Sequence, residues 1–264
     1  MKCRIGLLLL LLFCSANLNG QQDPSVLRSW PGTAERIAAD PSGKIYLVRN
    51  GILTCFTEQG DSLYSWSDPA SGRITGIDLT DPLRLLVYQK DFNLLRFLNN
   101  RLAPLAEAIS LDQLDIPHPL ALATSRQGGF WVLDGTTLRL RRYDHQLNLR
   151  VESSPLILPD SAGVKGIQLI ESADRIWLLV TGVEIRQFDS FGNFVRRIPL
   201  KVNFISPYGE QLLLVRTDRI TLLSDAFLPE TPVLEWPRNT LLEAILLNDR
   251  MLLRTAREVI LIRH

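Results

Sequence analysis

Cysteine and histidine are both scarce in this chain. Of the three cysteines, Cys3 and Cys14 lie near the N-terminus and Cys55 stands alone in the remainder. A lone cysteine cannot form an intramolecular disulfide, and no CxxC pair or spaced cysteine–histidine set is available to hold zinc. We therefore expect no metal and no cofactor, and we interpret Cys55 as a small hydrophobic residue of the core.

An excess of charge of one sign is also missing. The chain has 29 Lys and Arg against 28 Asp and Glu, which gives a net charge of +1. This balance offers no electrostatic basis for binding nucleic acid or an anionic membrane. The sequence also lacks a GxSxG elbow, a glycine-rich phosphate loop, an HExxH pair and an EF-hand calcium loop, so no common catalytic signature is present.

No apolar run is long enough to span a membrane, which takes about 20 residues. Residues 6–13 are apolar, follow the basic residues Lys2 and Arg4, and precede a small and polar stretch that ends at Gly20. This order is typical of a secretory signal peptide, so residues 1–20 are predicted to be removed. We expect an exported protein, periplasmic or extracellular. A lipoprotein anchored at Cys14 is the alternative, which the bulky Phe13 before that cysteine disfavours.

A repeated strand-and-turn unit fills the rest of the chain, and its clearest copy is residues 40–66. Asn50-Gly51 in this copy is the dipeptide most favoured in tight hairpins, and the apolar stretches on either side have the length of strands. The predicted strands are residues 37–39, 45–48, 52–56 and 63–66. The unit is therefore predicted to be a four-stranded antiparallel meander.

Six such units follow one another at intervals of about 40 residues, a spacing typical of propeller blades. Their second strands are centred on Tyr46, Leu86, Trp131, Trp177, Leu213 and Leu252. Each meander has two apolar faces that only neighbouring meanders can cover. Residues 21–264 are thus predicted to form a single domain, an all-β, six-bladed β-propeller of four-stranded antiparallel blades. The one helical segment that we expect is a turn or two within residues 105–114.

The last unit contains only three strands, at residues 241–246, 251–254 and 259–262. An unpaired strand, residues 25–30, precedes the first unit. We predict that this N-terminal strand completes the last blade, because the ring then has no open edge.

Two segments carry a family resemblance. The sequence DPSGKIYL at residues 40–47 and FDSFGNF at residues 188–194 resemble the NHL-type repeat and the related six-bladed TolB-like propellers of secreted bacterial proteins. The resemblance implies the fold. It also implies that the chain acts as a binding platform, as most members of these families do, while a minority are enzymes; it assigns no catalytic residue here.

Polar residues where the innermost strands begin are the candidate site, because they would ring the mouth of the central channel. They are Arg36, Arg73, His118, Lys165, Asn203 and Glu243. Three or four positive charges there would attract a small anion or a carboxylate-bearing peptide. The alternative is that a wet channel mouth accepts any polar residue. The carboxylates Asp40, Asp134, Glu171 and Asp189 are interpreted as ordinary turn or surface residues.

The function that these features favour is an exported binding or scaffolding module for a protein or peptide partner. Contact is expected across the face that carries the long loops at residues 105–119 and 154–164. The alternatives are a propeller enzyme, a hydrolase or lyase using His118 with Arg73, and a binder of a small anion at the channel mouth. We expect a monomer with no nucleic-acid partner and no transmembrane segment.

Overall fold

The structure, a computed structural model, describes residues 25–40, 42–159, 165–224, 229–238 and 240–264. These residues form six four-stranded antiparallel sheets, arranged as the blades of a β-propeller. The fold class predicted from the repeat is therefore confirmed. The predicted signal peptide, residues 1–20, lies outside the described residues.

Each blade is a meander that runs from an innermost to an outermost strand. Blade 1 consists of β2 (Arg36–Ala39), β3 (Ile45–Arg49), β4 (Ile52–Phe56) and β5 (Ser62–Trp66). Blade 2 consists of β6 (Ile74–Asp78), β7 (Leu85–Gln89), β8 (Leu94–Leu98) and β9 (Ile109–Ser110). Blade 3 consists of β10 (Pro119–Thr124), β11 (Phe130–Asp134), β12 (Arg139–Tyr143) and β13 (Leu149–Glu152). Blade 4 consists of β14 (Ile167–Ser172), β15 (Arg175–Val180), β16 (Glu184–Asp189) and β17 (Phe194–Ile198). Blade 5 consists of β18 (Phe204–Tyr208), β19 (Gln211–Val215), β20 (Arg219–Leu223) and β21 (Thr231–Glu235).

Blade 6 is built from both ends of the described chain. Its inner strands are β22 (Leu241–Leu246), β23 (Arg250–Thr255) and β24 (Glu258–Arg263), and its outermost strand is β1 (Val26–Pro31). β1 pairs antiparallel with β24, with Trp30 opposite Val259. The predicted closure of the ring by the N-terminal strand is confirmed, and β24 is left without a free edge.

The hairpins follow local turn chemistry. Asn50 and Gly51 both have positive φ, 52° and 74°, as expected for a tight turn between β3 and β4. In the turn after β16, one oxygen of Asp189 accepts hydrogen bonds from the backbone N–H groups of Phe191 and Asn193, each at 2.9 Å. The acidic residue of the FDSFGNF segment therefore fixes the shape of its own turn.

The hydrophobic core is divided among the junctions between blades. Each of six buried clusters is made of residues from two neighbouring blades. All six predicted second-strand centres are buried: Tyr46, Leu86, Trp131, Trp177, Leu213 and Leu252. Cys55 is fully buried in the cluster between blades 1 and 2, and burial raises the pKa of its thiol. The interpretation of Cys55 as a core residue is confirmed.

Helical structure is limited to single 3₁₀ turns in the part of the chain described. They are Pro69–Ser71, Lys90–Phe92 and Leu111–Leu114. The helical turn expected within residues 105–114 does form, at the end of that segment after strand β9, but the other two 3₁₀ turns lie outside it. The buried side chains of Leu111 and Ile116 hold that turn against blade 2. None of the described residues forms a helix long and apolar enough to cross a membrane.

Candidate functional site

The six innermost strands surround a central channel with a volume of about 1450 Å³. We call the end at which these strands begin the front face and the other end the back face. The turns between second and third strands, and the links from one blade to the next, also lie on the front face. This geometry follows from the antiparallel order of the strands.

The predicted site residues do not form one ring. Arg36, Lys165, Asn203 and Glu243 line the channel. Arg73 instead lines a separate groove of about 860 Å³ between blades 1 and 2, which Arg36 also lines. His118 is exposed on the link before β10 and lines neither cavity.

Glu243 is committed to contacts within the protein. It is the third residue of β22, rather than the first, and a β-bulge lies between Leu241 and Glu243. Its carboxylate lies 2.7 Å from Nη2 of Arg254 and 3.7 Å from Nη1 of Arg36, and it accepts the backbone N–H of Ile37 at 3.2 Å. The charge of this residue is therefore balanced inside the wall of the channel.

Arg73 is paired as well. Its guanidinium donates through Nε and Nη2 to the two carboxylate oxygens of Asp91, at 3.2 and 3.1 Å, and its backbone N–H donates to the same group at 3.0 Å. These bonds hold the pKa of Asp91 below its usual value. The pair stands at the rim of the groove, with most of the Arg73 side chain exposed.

Side chains join the inner strands, or the turns that follow them, of neighbouring blades at five of the six junctions, within the described ranges. The bonds, by donor and acceptor, are Ile37 N–H to Glu243, Thr124 N–H to Asp78, Arg126 N–H to Glu171, the Gln168 amide to Ile205 C=O, and the Ser206 hydroxyl to Ala244 C=O. Four of these bonds satisfy backbone groups of the innermost strands, and the fifth satisfies the N–H of Arg126 in the turn after β10. The inner wall is thus a continuous hydrogen-bonded surface over most of its circumference.

The junction between blades 1 and 2 has no such bond among the described residues. Asp78 and Ser206 stand opposite the second-strand centres Leu86 and Leu213, and the corresponding residue of blade 1, opposite Tyr46, is Ala38. An alanine has no group that could reach the next blade. Behind the front face, apolar packing holds this junction together. At the front face the junction opens as the groove lined by Arg36, Arg73 and Ile52.

His118 has no chemical partner in the described part of the chain. Its backbone carbonyl accepts the N–H of Gly135 at 2.8 Å, and its imidazole makes no hydrogen bond or ion pair there. The structure also does not bring His118 and Arg73 to one cavity. No group of three or more His, Cys, Asp or Glu side chains that could hold a metal ion occurs among the described residues.

Three of the four carboxylates interpreted as ordinary turn or surface residues are buried. Asp40, Asp134 and Glu171 lie at or beside turns, but all three are buried. Glu171 accepts hydrogen bonds from the indole N–H of Trp131 at 2.9 Å and from the N–H of Arg126 at 3.0 Å, while burial raises its pKa. The donors to Glu171 lie in the neighbouring blade, so the turn signal in the sequence could not reveal its burial. Asp40 and Asp134 do act as turn residues: each accepts backbone N–H groups of its own turn, from Ser42 and Thr136 respectively, at 2.9 Å.

The first of the two long loops is held against blade 2. Residues 105–119 contain β9 and a 3₁₀ turn, and the Asn93 amide donates to Asp112 at 2.7 Å and to the Ile116 carbonyl at 2.8 Å. In the second loop, residues 160–164 lie outside the described residues. Ile157 before them is 88% exposed on the front face.

Comparisons with known proteins support the fold alone. No protein-family model matches the chain, and no curated protein matches it. Virginiamycin B lyase from Staphylococcus aureus is 11% identical, with a TM-score of 0.57 over 89% of this chain and 95% of that one. A streptogramin B lyase structure is 12% identical, with a TM-score of 0.62 over 89% and 93%. The extracellular domain of the one-component-system protein BT4673 from B. thetaiotaomicron is 13% identical, with a TM-score of 0.53 over 92% of this chain and 40% of that one. The propeller resemblance is confirmed at the level of the fold, and the NHL-type or TolB-like assignment stays a prediction.

Proposed function

We propose that the protein is an exported binding module that holds a protein or peptide partner on its front face. The observation that carries the proposal is the groove at the junction of blades 1 and 2. It is large enough for several side chains of a partner, since ligand pockets have volumes of about 300–1000 Å³. It lies where the inner wall has no side-chain bond in the described part of the ring.

The groove combines apolar and polar walls. Ile52 is 45% exposed although it begins a strand, and Pro69 and Ile74 lie in the same lining. Arg36, Arg73 and Asp91 supply the polar part. An apolar centre with a charged rim is the usual composition of a protein-binding surface.

The charges at the channel mouth favour this proposal over a small-anion binder in the channel. Glu243 lies against two arginines, and Arg73 is turned away into the groove and paired with Asp91. The excess of positive charge expected from six separate residues is therefore much reduced. An anion in the channel would meet a mixed lining.

Export is part of the proposal, and it rests on the sequence of residues 1–20. The basic start, the apolar run at residues 6–13 and the polar end at Gly20 are the supporting features. The test is expression of the full chain in a Gram-negative host, followed by cell fractionation and mass determination of the N-terminal peptide. A periplasmic protein that begins near Gln21 is expected; a cytoplasmic protein that keeps Met1 or Lys2 would contradict export.

Partner binding is tested by affinity capture with the mature chain from an extract of its own periplasm or culture medium. Ile52→Glu places a charge in the groove, and Leu83→Glu is the matched control, because Leu83 is a 66% exposed apolar residue in a turn on the back face. We expect a partner that the wild type and Leu83→Glu retain and that Ile52→Glu loses. Equal capture by all three proteins would place the binding surface elsewhere.

A further inference from the structure

We propose that the groove between blades 1 and 2 binds the free carboxyl terminus of a peptide, with the terminal carboxylate on Arg36 and the last side chain against Ile52. This inference rests on the proposed function, because it names the chemistry that the partner presents. Both residues line the groove, and both remain accessible at the front face.

Part of the guanidinium of Arg36 has N–H groups that no described residue accepts. Its Nη1 donates to the backbone carbonyl of Glu35 at 2.7 Å and lies 3.7 Å from Glu243. Its Nε and Nη2 donate to no group in the described ranges, and 44% of the side chain is exposed. A guanidinium presents these N–H groups in a planar fork that matches the two oxygens of a carboxylate.

The two acidic residues of the groove, and Glu243 of the adjoining channel wall, have other partners that leave Arg36 available. Asp91 is held by Arg73 through two side-chain bonds. Glu35 accepts the backbone N–H of Asn50 at 3.1 Å. Glu243 has its closest charged contact with Arg254, at 2.7 Å, and so only weakly engages Arg36. Arg36 is therefore the group of this lining that can accept a new anion at least cost.

The apolar part of the groove favours the carboxylate of a peptide terminus over that of an acidic side chain. Ile52, Ile74 and Pro69 lie in the same lining as Arg36. A peptide terminus carries its carboxylate and an ordinary side chain on one α-carbon, so both can contact these walls at once. In Asp or Glu the carboxylate is itself the side chain, so the same α-carbon carries no second side chain to contact the apolar wall.

The test compares two pools of fluorescein-labelled tetrapeptides with random sequence, one ending in a free carboxylate and the other in a carboxamide. Fluorescence polarisation with the mature protein should show saturable binding of the acid pool and at least tenfold weaker binding of the amide pool. Arg36→Ala should weaken binding of the acid pool by about 10- to 100-fold, as expected for the loss of a charge-assisted hydrogen-bonded pair. Arg36→Lys should recover only part of the loss, because it restores the charge without the fork.

Two further variants separate a local effect from misfolding. Ile52→Glu should also abolish binding of the acid pool, because it places a negative charge beside the terminal carboxylate. Lys165→Ala is the matched control, since Lys165 is an exposed cation on the same face that lines the channel but not the groove. Circular dichroism of each variant reports whether the blades are intact.

Equal binding of the acid and amide pools, no binding of either, or an Arg36→Ala protein that binds as the wild type does would each overturn the inference. Preferential binding of amidated peptides that contain Asp or Glu would do so too, because the carboxylate would then come from a side chain. If affinity capture still depends on Ile52 in any of these cases, the proposed function stands, and only the inference that the groove binds a terminal carboxylate is wrong.

Discussion

Glu243 in the last blade accepts a hydrogen bond from the backbone N–H of Ile37 in the first, with 3.2 Å between Oε2 and N. The two residues are 206 positions apart in the sequence. Their contact joins blades 6 and 1 at the inner wall, while the pairing of β1 with β24 completes blade 6 at its outer edge. The ring is therefore closed near the axis and at the periphery by separate interactions.

Removal of the Glu243 carboxylate should destabilise the ring. Glu243→Ala leaves the Ile37 N–H without its acceptor and the half-buried Arg254 without its closest anion. We expect the free energy of unfolding to fall by about 2–4 kcal/mol, as for other broken pairs of this kind. Urea denaturation at neutral pH measures it.

The control for that variant is Glu210→Ala, which changes an exposed carboxylate in the turn between β18 and β19. A surface change of this kind should shift stability by less than about 0.5 kcal/mol. An equal effect of the two substitutions would contradict a specific role of Glu243 in closure.

Trp30 should be the main apolar anchor of β1. Its side chain is buried at the junction of blades 6 and 1, and its ring centroid lies 5.9 Å from that of Phe56. Trp30→Ala is expected to cost about 3–5 kcal/mol, the usual range for deleting a large buried aromatic group. Trp30→Phe should cost clearly less. If chemical denaturation shows both variants to be as stable as the wild type, β1 does not hold the last blade.

Glu171 should make stability depend on pH. Burial raises its folded pKa above the ordinary value of 4.5, against the opposing effect of its bonds from Arg126 and Trp131. A raised pKa means that the folded state binds the proton more tightly, so the contribution is fully present below pH 4.5 and is lost as the pH rises through the folded pKa.

Glu171→Gln removes this titration and keeps an acceptor for Trp131. The stability of the variant relative to the wild type should therefore increase as the pH rises above 4.5, and then become constant. Urea denaturation at a series of pH values measures the difference. A difference that does not change with pH would show that the carboxyl titrates at its ordinary value.

Glu230 should act in the opposite direction. Burial favours its neutral form, but two bonds from Arg216, each of 2.8 Å, and one from the Thr221 hydroxyl hold its pKa below 4.5. A lowered pKa gives a contribution that is present above pH 4.5 and is lost as the pH falls through the folded pKa.

The variant Glu230→Gln should thus be less stable than the wild type at pH 7, by about 1 kcal/mol for a partly exposed pair. That deficit should shrink as the pH is lowered below 4.5. Thermal unfolding at pH 7 and at acidic pH gives the two values. A deficit that is equal at both would mean that Glu230 stabilises blade 5 by packing rather than by charge.

The sequence alone predicted the strands, the hairpins, the number of blades and the strand that closes the ring. These features depend on local backbone chemistry and on the alternation of side chains. Asn50-Gly51 fixes a turn whatever surrounds it, and residues 45–48 can be recognised as a strand from their apolar character. The three strands of the last unit then left one place for residues 25–30.

The tertiary structure decided how the charges pair and where the ring opens. Arg36, Glu243 and Arg73 looked equivalent in the sequence because each stands near the start of an inner strand, yet the first two meet each other and the third binds Asp91. The groove lies at the one junction of the described ring that has no side-chain bond between inner strands, and its lining comes from blades 1 and 2 and the link between them. The physical reason is the distance along the chain over which each effect acts. Turn and strand preferences act over a few residues. These pairings join different blades, so they are set only when all six blades are packed around one axis.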